Sequence, residues 1–135
     1  MLYRSGTSLL LVLFATLTLA CSGSQPLSGD WDFLGSRKVN HAVDRDEIAV
    51  TVRDGTFKSI KLRVRDRQVT VRDVKVHYAN GDVQDIKLRS KIPAGGETRV
   101  IDLNGNNRVI RKVVFWYNTS RVRGKRATVQ LFGKH

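Results

Sequence analysis

The stretch FKSIKLRVRDRQVTVRDVKVHY, residues 57–78, decides the fold. Ile60, Leu62 and Val64 alternate with Lys61, Arg63 and Arg65, the two-residue period of a strand with one buried and one wet face. Asp66, Arg67 and Gln68 interrupt the pattern, and apolar residues resume at Val69, Val71, Val74, Val76 and Tyr78. The apolar phase is odd at Val69 and Val71 and even from Val74 onward. One extra residue causes such a slip, which predicts a β-bulge at Arg72-Asp73. The whole stretch reads as a β-hairpin turning at Asp66-Arg67-Gln68, with a row of positive charge on its outer face.

The flanks continue in the same idiom. Trp31-Asp32-Phe33-Leu34-Gly35 reads as an opening segment or edge strand that plugs one end of the core, and Val39 to Val43 as a short strand. Asp44-Arg45-Asp46-Glu47 reads as a charged turn, followed by alternation at Ile48, Val50 and Val52. Asp54-Gly55 and Asn80-Gly81 are hairpin-turn dipeptides. Ile86 and Leu88 mark a half-buried strand that Ile92-Pro93-Ala94-Gly95-Gly96 breaks, and Thr98 to Leu103 a short one that ends in Asn104-Gly105-Asn106-Asn107. Val109 to Tyr117 is apolar on both faces, as a central strand is. A loop containing Arg121, Arg123, Lys125 and Arg126 leads to a last strand through Ala127, Val129 and Leu131. Beyond residue 20 no helical apolar period is sustained and no repeat of solenoid length occurs. Short strands separated by Gly/Asn turns predict a single-domain antiparallel β-sandwich of about seven to nine strands.

The N-terminus supplies an address. Arg4 is followed by Leu9 to Ala20, twelve residues without a charge or a strongly polar group. That suits a signal-peptide core and falls short of the roughly 20 residues a membrane span needs. Leu17-Thr18-Leu19-Ala20-Cys21 resembles the lipobox of bacterial lipoproteins, in which the chain is cut before the cysteine and the cysteine carries lipid. The alternative is ordinary cleavage near Ala20, leaving a free thiol. Cys21 is the only cysteine, so the domain has no internal disulfide to stabilise it. Ser22, at the position after the cysteine, is not the aspartate that resembles an inner-membrane retention signal, which points to the outer membrane. Residues 1–20 thus read as signal peptide, 21–29 as anchor and flexible tether (SGSQPLSG from Ser22), and 30–135 as the domain.

The chain carries 24 Lys and Arg against 12 Asp and Glu, a net charge of +12. Without residues 1–20 only Arg4 is lost. So basic a domain attracts polyanions by charge alone.

Three segments carry a family resemblance: Val43-Asp44-Arg45-Asp46-Glu47-Ile48, the strand end Val76-Tyr78-Asn80-Gly81, and Ile92 to Tyr117 (IPAGGETRVIDLNGNNRVIRKVVFWY). Together they resemble a family of small exported bacterial proteins defined only as a domain of unknown function. The resemblance covers most of the mature chain. It implies export and β-structure, and it carries over no functional residue.

No motif points to catalysis. Asp102-Leu103-Asn104-Gly105-Asn106 has the D-x-N-x-N spacing of a calcium loop, but Asn107 and Val113 stand where such a loop needs glycine and glutamate, so it reads as a turn. Asp44, Asp46 and Glu47 lie beside Arg45 and show no sign of the opposed environments that paired catalytic carboxylates need. His41, His77 and His135 fit no zinc spacing. Nucleophile elbow, phosphate loop and dinucleotide fingerprint are missing from the sequence. The expectation is a protein that is not an enzyme and needs no cofactor or metal.

What remains is basic surface. Lys61, Arg63 and Arg65 recur about 6–7 Å apart along one strand face. Arg72 and Lys75 are expected on the partner strand, and Arg121, Arg123, Lys125 and Arg126 in a second cluster. Arginine's planar fork suits phosphate and carboxylate. The competing reading is a solvated face that resists edge-to-edge pairing. Nucleic acid is not expected outside the cell, and the basic strand lacks interleaved aromatics for stacking on single strands. The anions of an envelope are lipid A phosphates in lipopolysaccharide, anionic phospholipid and acidic glycan. A lipid anchor and a basic face together make two membrane signals. Two alternatives stay open: a carbohydrate-binding module stacking sugars on Trp31, Trp116 or Tyr117, and a subunit that recruits a protein partner at a sheet edge.

Overall fold

Alternation produces strands almost everywhere the sequence shows it. The computed structural model describes residues 31–39, 44–118 and 126–135. Among these the chain forms nine strands: β1 (Trp31–Lys38), β2 (Arg45–Ala49), β3 (Thr56–Phe57), β4 (Ser59–Arg65), β5 (Val69–Tyr78), β6 (Val83–Ile92), β7 (Ile101–Asp102), β8 (Arg108–Asn118) and β9 (Thr128–Lys134). The only helical piece among the described residues is one 3-10 turn at Val52–Asp54.

The strands form two antiparallel sheets. The first runs β1-β9-β4-β7 and the second β2-β8-β5-β6, with β3 also on β8. Ile60, Leu62, Val64, Val129 and Leu131 from the first sheet meet Val71, Val74, Val76, Val113 and Phe115 from the second in one core. Together they make the all-β sandwich that alternation requires when each sheet has one apolar face.

The pairing corrects one expectation. β4 and β5 are not a hairpin: β4 pairs with β9, from Ser59 opposite Lys134 to Arg65 opposite Thr128, while β5 pairs with β6 and β8. The turn at Asp66, whose φ is 71°, carries the chain from one sheet to the other. The two apolar faces therefore oppose each other across the core instead of lying side by side. Among the described residues the only consecutive strands that pair are β5 and β6, whose loop Ala79-Asn80-Gly81 is closed by Tyr78 N–H to Asp82 O at 2.9 Å. Gly81, at φ 97°, takes the left-handed position of a type I turn with a bulge.

The predicted bulge is present. The register shifts between Val71 and Asp73 against both neighbours, so Val71 and Val74 are both fully buried. A second shift, between His77 and Tyr78 against β8, makes Ile110 and Val113 both core residues, where simple alternation puts them on opposite faces. As expected, β8 is central and β1 is an edge. Arg45, Asp46 and Glu47, expected in a turn, belong to β2. Asp54-Gly55 closes no hairpin either: β2 and β3 lie along the same strand, β8, and residues 51–55 loop out between them. The strand expected over Thr98 to Leu103 shrinks to Ile101–Asp102, and Thr98 Oγ1 accepts the Leu62 N–H at 3.0 Å where a strand would offer a carbonyl. Val39 is buried but outside any strand, and residues 40–43 lie outside the described residues.

Candidate anion-binding face

The inter-sheet crossing divides the predicted basic site. Lys61, Arg63 and Arg65 project from β4 on the outer face of the first sheet, with Ile60, Leu62 and Val64 fully buried between them. Arg72 and Lys75 line the outer face of the second sheet, on the opposite side of the sandwich. Arg126 is exposed ahead of β9, and Arg121, Arg123 and Lys125 lie outside the described residues, as do Cys21 and His41.

The two outer faces differ in charge balance. On the second sheet the cations divide: among the described residues Lys75, Arg89, Lys91 and Arg111 have no carboxylate within ion-pair distance, while the others do. Arg45 and Lys112 reach Glu47 at 3.7 and 3.6 Å, Lys87 reaches Asp73 at 3.3 Å and Asp85 at 4.0 Å, and Arg72 reaches Asp44 at 3.3 Å. On the first sheet Lys61 Nζ meets Glu97 at 2.9 Å. Among the described residues no carboxylate stands within ion-pair distance of Lys38, Arg63, Arg65 or Lys134. Thr128 pairs with both Lys38 and Arg65, which brings those two cations to one end of the sheet, with Arg126 two residues away in the chain.

The other end of this face is aromatic, which the sequence does not reveal. Phe33 pairs with Phe132, which pairs in turn with Lys61; the two rings are 5.6 Å apart. Trp31 lies opposite Lys134, and Lys61 Nζ sits 4.5 Å from the centre of its ring. Only 12% of the Lys61 side chain is exposed. Held between Trp31 and Glu97, Lys61 braces the face, and the accessible charge belongs to its neighbours. Phe33 is 56% exposed. These contacts join β1 to β9, a separation across nearly the whole domain that no local pattern encodes. Only the Trp31-Asp32-Phe33 triplet hints at it.

Trp116 stands half-buried on the second sheet's outer face. Arg45 and Lys75 each lie 5.6 Å from its ring centre. With Arg72, Asp73, Lys75, Asp85 and Lys87 it lines an open concavity of about 260 Å³. Tyr117 is a core residue whose hydroxyl donates to Asp46 Oδ2 at 2.9 Å, so it offers no stacking surface.

The remaining polar clusters fasten elements together. Arg108 lies 3.8 Å from the Tyr78 ring centre, donates to Asn104 O at 2.9 Å and reaches Asp82 Oδ2 at 3.3 Å. Asp102 accepts the Ser59 hydroxyl at 2.9 Å, and the Asn104 N–H donates to Gln84 Oε1 at 2.9 Å, so the D-x-N-x-N segment is bound to its own sheets. Burial raises the Tyr78 hydroxyl above its ordinary pKa. His135 stacks on Phe57 at 4.5 Å, with Nδ1 2.7 Å from Thr56 O and Nε2 2.5 Å from Asp32 Oδ2. Both ring nitrogens face acceptors, an arrangement that only the imidazolium satisfies fully. The Asp32 contact, then the Thr56 carbonyl, hold its pKa above the ordinary value. His77 is shifted the other way, by burial and then by Lys112 and Arg111.

The arrangement can bind anions through fixed, unpaired cations and can seat an apolar or planar group on its aromatics. Among the described residues no group of three or more metal-ligating side chains converges. No curated protein and no solved structure matches the chain. A family model, that of the domain of unknown function DUF2541, matches residues 8–133, and the chain belongs to that family.

Proposed function

We propose that this protein is a non-enzymatic bacterial envelope lipoprotein. It is anchored at Cys21 to the periplasmic side of the outer membrane, and the outer face of its first sheet binds anionic envelope components. The observation that carries this reading is the contrast between the two faces. The second sheet pairs Arg45, Arg72, Lys87, Arg108 and Lys112 with carboxylates, whereas the first pairs Lys61 alone and leaves Lys38, Arg63, Arg65 and Lys134 without partners among the described residues. Arginines fixed on a strand form phosphate contacts with little loss of side-chain freedom.

Every core residue among those described lies between Val39 and Phe132, so the chain from Ser22 onward carries that whole core and serves for binding assays. Each basic residue near an anionic surface contributes about 1 kcal/mol. Reversing Arg63 and Arg65 to glutamate changes four charges, and should weaken salt-sensitive binding to anionic vesicles by more than about 100-fold with an unchanged circular dichroism spectrum. Reversing Arg72 and Lys75, on the second sheet and away from the β4 row, should have far less effect. Equal losses from both pairs would point to net charge alone and sink the assignment of a face.

A second reading, a carbohydrate-binding module, rests on Trp116 and its concavity. It predicts that Trp116→Ala abolishes glycan binding while leaving vesicle binding intact.

A further inference from the structure

Resting on that reading, we propose that the anionic partner is a phospholipid bilayer, and that the first sheet lies flat on it with Trp31 and Phe33 in the headgroup–acyl boundary. The face has two tiers. Trp31, Phe33 and Phe132 occupy one end, and Lys38, Arg63 and Arg65 lead to the other. Phe132 and Thr128 mark the two ends on β9, four residues or about 13 Å apart. Both tiers stand on the same rigid strands, so cations and aromatics meet one plane together.

The aromatic end has the chemistry of a lipid interface. Exposed Phe33 is an apolar side chain with nothing over it among the described residues, and Trp31 combines an apolar body with an indole N–H. A sugar site needs polar groups converging around an open ring face. Here Trp31 is held by Lys61, itself neutralised by Glu97, and its aromatic neighbours Phe33 and Phe132 carry no polar atom. Val100, just ahead of β7 at the opposite edge of the same sheet, is 50% exposed. Val83, equally exposed on the second sheet, serves as a control. Cys21 precedes Trp31 by ten residues, a reach of at most about 35 Å, so an anchor there leaves the sheet free to lie on the bilayer holding it.

The chain from Ser22 onward with Trp116→Phe has Trp31 as its sole tryptophan, and its fluorescence reports the contact directly. Bilayers of phosphatidylglycerol and phosphatidylcholine brominated in the acyl chain should quench Trp31. Phe33→Ser should weaken vesicle binding about tenfold, leave binding to soluble dextran sulfate unchanged and preserve the circular dichroism spectrum. Val83→Ser should leave vesicle binding as it is. Vesicle binding without quenching, and indifferent to Phe33→Ser, overturns the bilayer inference and leaves the basic face standing. Binding to dextran sulfate but not to vesicles also overturns it, in favour of an acidic glycan. Binding to neither, across the salt series, overturns the basic-face reading itself.

Discussion

Gly133 shows how closely one residue can be specified by its surroundings. It lies on the inner side of β9 beneath Phe57, and an added Cβ would stand 2.6 Å from Phe57 Cδ1 and 2.8 Å from Leu34 Cδ1. Phe57 is fully buried and its ring has no room to retreat, so Gly133→Ala should cost about 1–3 kcal/mol, read as a lowered urea midpoint with an unchanged slope. His135 and His77 set opposite pH dependences. The pKa of His135 is raised in the fold, so its stabilising contribution is complete below about pH 6.5 and disappears as pH rises through the folded value. His77 is lowered, so its contribution is present above about pH 6.5 and disappears as pH falls through its folded value. The stability gap between the native chain and Asp32→Ala should therefore be wider at about pH 5.5 than at about pH 8.5, though small, because both partners are half-exposed. His77→Gln should raise stability on the acid side alone. A gap that widens toward alkaline pH would contradict the His135 clamp.

At the scale of elements, alternation proved a sound guide to which side of a strand is buried and a poor guide to its neighbour. Lys61, Arg63 and Arg65 face outward, and the bulge near Arg72 lies where the phase slip puts it. Yet β4 and β5 belong to different sheets, because two alternating runs can bury their apolar faces side by side or against each other with the same local sequence. The distinction matters for function: it places Arg72 and Lys75 opposite the β4 row, and the paired charge reversals proposed above test that separation. The charged sequence of β2 misleads for a related reason. Arg45, Asp46 and Glu47 look like a turn in isolation, but Asp46 accepts the Tyr117 hydroxyl, 71 residues away, and Glu47 neutralises Lys112, distant partners that make a charged strand tolerable.

For the whole molecule, the proposed anchor and basic face would act as two weak membrane signals that together hold what neither holds alone. Cys21→Ser should move the protein from the membrane to the soluble fraction at physiological salt, and low salt should partly restore membrane association through the basic face. Full retention of the variant at high salt would refute the lipoprotein assignment. The amino-acid sequence by itself determined the sandwich class, the strand faces, the bulge and the net charge, because two-residue periodicity and composition are local or additive properties. Only the tertiary structure decided which cations share a face, which are already neutralised, and that Trp31 and Phe33 join them. Those facts depend on β1 meeting β9 and on β4 parting from β5, contacts between residues distant in the chain, for which many pairings satisfy the same local pattern.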